Sequence, residues 1–105
     1  SEEFKTWEAA KKKIAEHEAA KVMLDDFRKK QWKLEEARMA GEEITTEQQE
    51  ELKKLFEIIS YNPYVSEFLM AEMRMHNMVL EIQKIIASAI GVELPESGAK
   101  QEGEA

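Results

Sequence analysis

The sequence contains no cysteine, which excludes disulfides, thiolate metal sites, iron–sulfur ligation and thiol catalysis. Glycine is scarce and dispersed, at Gly41, Gly91, Gly98 and Gly103, so no glycine-rich phosphate loop can form. Proline occurs only at Pro63 and Pro95, leaving long stretches without a helix breaker. The chain lacks a basic excess: its formal charge is −7 and its isoelectric point about 4.9. That balance argues against general affinity for nucleic acid or anionic lipid, both of which need a cationic surface. No uninterrupted apolar run exists either. The closest approach, "FLMAEMRMHNMVLEIQKIIASAI" from Phe68 to Ile90, carries Glu72, Arg74, Glu81 and Lys84, each costing roughly 2.5–3.5 kcal/mol near a bilayer centre. A membrane span is therefore not expected, and a charged n-region followed by a continuous apolar core, the pattern of a secretory signal, is not found at the start of the sequence.

What is present is helical in character. Residues 2–39 are rich in Ala, Lys, Glu and Leu, with Trp7, Ala10, Ile14, Leu24, Phe27 and Leu34 at three-and-four spacing. The stripe thins at "AEHEAA", which predicts either a kink or two helices meeting near His17. "AGEEITTEQQE" is punctuation: Gly41 suits a left-handed helix end, Thr45 or Thr46 suits an N-cap, and Gln48 or Gln49 supplies the reciprocal half of a capping box. A helix over about 46–60 follows, ended by "SYNPY", in which Asn62 suits an N-cap and Pro63 the first helical position. The last helix is expected over 63–90, stopped by Gly91. Residues 91–105 read as a polar flexible tail. The opening "SEEFKTW" has the character of a mid-helix entry, which predicts further residues ahead of Ser1.

The expected architecture is all-α, a single domain over 1–90 forming an elongated antiparallel helical hairpin or bundle that self-associates through its long helices. The reason lies in the last helix. Phe68, Met75, Met78, Val79, Ile82, Ile85 and Ile86 form one stripe, wider with Leu69, Met73 and Leu80 than the two positions in seven that a single helix pair uses. Small, thin domains are marginal alone. A homo-oligomer, dimer or tetramer, is therefore expected, with those seven residues at its interface. Trp32, Met70 and Met73 are candidates for a partner surface, because adaptable thioethers and an exposed indole recur at helix-binding sites.

Catalytic, cofactor and metal sites are expected to be absent. His76 follows Glu72 by four residues, yet the only other histidine, His17, is remote, and the Glu-x-x-His spacing of dimetal bundles fails because Ile14 and Met73 stand three residues before the histidines. No serine or threonine sits in a nucleophile motif. "RKKQWK" from Arg28 to Lys33 is the one basic and aromatic cluster, and it defines the alternative: an RNA-contacting accessory factor using Arg28, Lys29, Lys30, Trp32 and Lys33. A solvated face answering Asp25 and Asp26 is the preferred reading of that cluster.

The order of "SEEFKTWEAAKKKI", "DDFRKKQWKLEEARMAGEEITTEQQEEL" and "NPYVSEFLMAEMRMHNMVLEIQKII" resembles the YlbF/YmcA (YheA-like) family of small helical bacterial proteins over about residues 1–90. The resemblance implies a cytoplasmic, non-enzymatic, self-associating regulator, since better-studied members promote ribonuclease Y dependent messenger processing and affect competence, biofilm formation and sporulation. It implies as partners other helical family members or a ribonuclease-associated protein. Some members carry a cysteine-rich tail linked to iron–sulfur binding, whereas this chain ends in "PESGAKQEGEA". Other relatives have no assigned role.

Overall fold

The computed structural model describes residues 1–94 as four helices: α1 (Glu2–Ala15), α2 (Glu18–Met39), α3 (Thr46–Ile59) and α4 (Pro63–Ile90). Each boundary has a local chemical cause. Ser1 caps α1 by accepting the Phe4 N–H. His17, in extended conformation, divides α1 from α2 outright, so the long N-terminal stretch is two helices. Its ring stacks on Tyr64 at a centroid distance of 3.7 Å, and Nδ1 lies 2.8 Å from the Lys13 carbonyl oxygen, tying the junction to the start of α4.

The α2–α3 turn closes with Gly41 at φ 84°, where the Gly41 and Glu42 N–H groups donate to the Arg38 and Ala37 carbonyls in a Schellman arrangement. Of the two threonines, Thr45 is the cap. Its hydroxyl accepts the Gln48 N–H while the Gln48 side chain accepts the Thr45 N–H, completing the box. Asn62 accepts from both Tyr64 and Val65, and Pro63 takes the first turn of α4. Gly91 ends α4 as Gly41 ends α2. The tail expected from residue 91 lies, beyond Leu94, outside the described residues.

α1 lies antiparallel on the first half of α4, with Lys13 paired to Glu67 at 3.1 Å and Ala10, Ile14, Phe68 and Ala71 in one apolar cluster with Leu24. The small side chains of Ala10 and Ala71, each 1% exposed, let those two helices approach closely. α3 returns antiparallel along α2, and a second cluster joins Ala20 and Phe27 of α2 to Ile59 and Val65 at the α3–α4 turn. α2 and α4 start together at the His17–Tyr64 stack and run in the same direction, still linked at Arg28 and Glu72. The body is open: its radius of gyration is 16.4 Å, against roughly 13 Å for a compact chain of about 100 residues.

Candidate functional site

Two surfaces distinguish this fold, and both involve α4. The first is its C-terminal half. α1 is only 14 residues long, and with Lys13 opposite Glu67 in an antiparallel pairing its first residues reach only to about the level of Met78 on α4. Beyond that level Val79, Ile82, Ile85, Ile86 and Ile90 are 42–69% exposed. Of the residues expected in a self-association stripe, the structure thus leaves Val79, Ile82, Ile85 and Ile86 open and holds Met75 and Met78 half-buried. Phe68 is a correction. It is 7% exposed, enclosed by Ala10, Ile14 and Leu24 of the same chain, because the antiparallel α1 covers exactly that level of α4.

The second surface is a groove where α2, α3 and α4 diverge. Phe27 and Phe56 form its centre with ring centroids 5.8 Å apart, Leu69 and Met73 line it toward α4, and Leu34 and Leu52 continue it between α2 and α3. Trp32 stands beside it, 58% exposed, with Arg28 and Gln31 shared between the two. The structure therefore brings Trp32 and Met73 to one side of the molecule. Met70 is also exposed but does not line this groove. Phe56, 41% exposed, joins this groove only where the three helices come together, which helix periodicity does not encode.

The basic cluster on α2 is partly consumed by the protein itself. Arg28 pairs with Glu72 across to α4, and Lys30 pairs with Asp26 one turn back at 3.1 Å. Charges already answered this way release fewer counterions on meeting phosphate, which weakens the RNA-contact alternative. Glu72 is also the carboxylate that His76 would have needed as a fellow metal ligand. Among the described residues no group of three or more His, Asp or Glu side chains is placed to hold a metal ion. Among them, too, no helix is long and apolar enough to cross a membrane.

Comparison with known proteins adds a family to this geometry. A UPF0342 protein of Caldicellulosiruptor bescii is 47% identical over 90 residues, covering 86% of this chain and 76% of the relative. A UPF0342 protein of Symbiobacterium thermophilum is 37% identical over 95 residues, covering 90% and 85% respectively. One from Bacillus velezensis is 34% identical over 86 residues, covering 82% and 74%. No solved structure gives a significant match. The profile described as "Control of competence regulator ComK, YlbF/YmcA" matches residues 1–91, so the chain belongs to the YlbF/YmcA family, a family linked to regulation of competence.

Proposed function

We propose that this chain is a non-enzymatic regulatory adaptor that works through helix-to-helix contacts, first with a second copy of itself and then with a partner protein. The observation that carries the proposal is the uncovered stripe of Val79, Ile82, Ile85 and Ile86 on the projecting half of α4. A helical segment of about 14 residues is marginal in water by itself. β-branched isoleucines lower its intrinsic propensity further, so cover by another apolar surface is what stabilises it. An identical stripe is self-complementary about a two-fold axis, the commonest symmetry of soluble assemblies.

The regulatory half of the proposal is supported by the family's link to control of competence regulator ComK. The finer role follows the family resemblance: promotion of ribonuclease Y dependent messenger processing in the cytoplasm, with consequences for competence, biofilm formation and sporulation. Other helical family members or a ribonuclease-associated protein are the partners this role calls for.

Light scattering on a size-exclusion column, over about a hundredfold range of protein concentration, tests the self-association step. The expected mass is two or four times the 12.2 kDa of one chain, falling only at the lowest concentrations. A mass of one chain throughout would remove the proposal's foundation.

A further inference from the structure

The uncovered half of α4 has a definite length and a definite stop. From Val79 to Ile90 it runs about 18 Å at 1.5 Å per residue. Its stripe continues the face that α1 occupies earlier in the helix: Ile82 stands 11 residues from Ala71 and 14 from Phe68, each within about 40° of whole helical turns. The first turn of α1, with Phe4 46% exposed, therefore closes off one end of the bare stripe. Glu81 and Lys84 are turned off the stripe by the helical period, so no charge on it selects a charged partner. Residues 95–105 of the sequence hold no large apolar side chain and offer it no cover.

We infer that two copies pair with their bare α4 halves antiparallel, Val79 of one beside Ile90 of the other, and that the first turn of each α1 closes the seam by setting Phe4 against the end of the second copy's α4. The inference rests on the self-association proposed above and adds its geometry and a surface outside the stripe. Steric fit decides the direction. Stripes in contact bring their helix axes to about 8–10 Å. In a parallel two-fold pairing both α1 helices would lie at the same level in the layer between the two α4 helices, and each is itself about 10 Å across. The stripes would be held apart along most of their length. In the antiparallel pairing each α1 lies past the end of the other copy's α4, so α4 of one copy and α1 of the other follow one another along a single line. The lengths agree, since each stripe ends at a stop and is as long as the stripe it receives. The apolar side chains left at that meeting point, Phe4 on one copy and the 51% exposed Val92 on the other, then cover each other.

Because the chain has no cysteine, a spin label can be placed at one chosen position of the full chain and its distance to its twin in the second copy read by pulsed electron resonance. Met70→Cys and Lys84→Cys carry the label at exposed positions off the stripe. A seam centred midway between Val79 and Ile90 predicts about 45–50 Å between labels at position 70 and about 25 Å between labels at position 84, from the helical rise and diameter. Nearly equal separations of about 25 Å at both positions, the parallel result, overturn the inference. Phe4→Glu is expected to weaken association by about tenfold with helical content unchanged. An unaltered association constant takes α1 out of the seam and overturns the inference as well. A chain that light scattering shows to be monomeric removes the self-association proposal and this inference with it, whereas an assembly with the wrong distances removes this geometry alone.

Discussion

Phe27→Ala is expected to lower the free energy of unfolding by about 3–5 kcal/mol, read as a shift of the urea midpoint at unchanged slope. Phe27 is where α2, α3 and α4 meet: it packs with Ala20, Ile59 and Val65, and its outer edge touches the Phe56 ring. The size of the effect follows from how little else there is. Of the ten buried apolar residues among those described four are alanines, so the large buried side chains there are few and the loss of one is felt throughout. Against a total of about 5–15 kcal/mol for an ordinary domain, such a loss populates the unfolded state appreciably. A change below about 1 kcal/mol would mean that Phe27 is not the junction the packing describes.

Ile82→Glu is expected to weaken self-association by roughly two to three orders of magnitude, measured by sedimentation equilibrium, with the helical content of the dilute protein unchanged. Within one copy Ile82 is nearly half exposed, so a carboxylate there meets water and the fold tolerates it. In a two-fold pairing of α4 helices the same substitution acts twice and places unpaired charges in an apolar seam, where desolvation dominates. Lys84→Glu supplies the control. Helical geometry turns position 84 to the side of α4 away from 82 and 86, so the change of charge there should leave the association constant within about a factor of two. An unaltered constant for Ile82→Glu would displace the proposed seam from the stripe.

Helix boundaries were legible because their determinants are local. A glycine that must take positive φ, a Thr-x-x-Gln box and an Asn-Pro start each act within four residues, and Gly41, Thr45 with Gln48, and Asn62 with Pro63 all serve as their chemistry suggests. The division at His17 needed more. Whether a thin stripe bends or breaks depends on what the ring meets, and it meets Tyr64, nearly fifty residues away. Phe68 shows the same limit from another side. Periodicity assigned it to the stripe that continues through Ile86, but not to a neighbour, and the length of α1 decides which part of that stripe is covered from within. The groove was only partly visible. Trp32 and Met73 could be singled out as exposed candidates, whereas Phe56, Lys53 and the Arg28–Glu72 pair belong to it only once three helices are placed together.

The central claim is that the second half of α4 is covered by another copy. Amide hydrogen exchange of residues 77–90, followed by mass spectrometry across about a hundredfold range of protein concentration, addresses it directly. The account predicts protection in that segment that rises with concentration, while the amides around Phe27 and Val65 stay equally protected throughout. Exchange of residues 77–90 that is the same at every concentration, whether fast or slow, would contradict it.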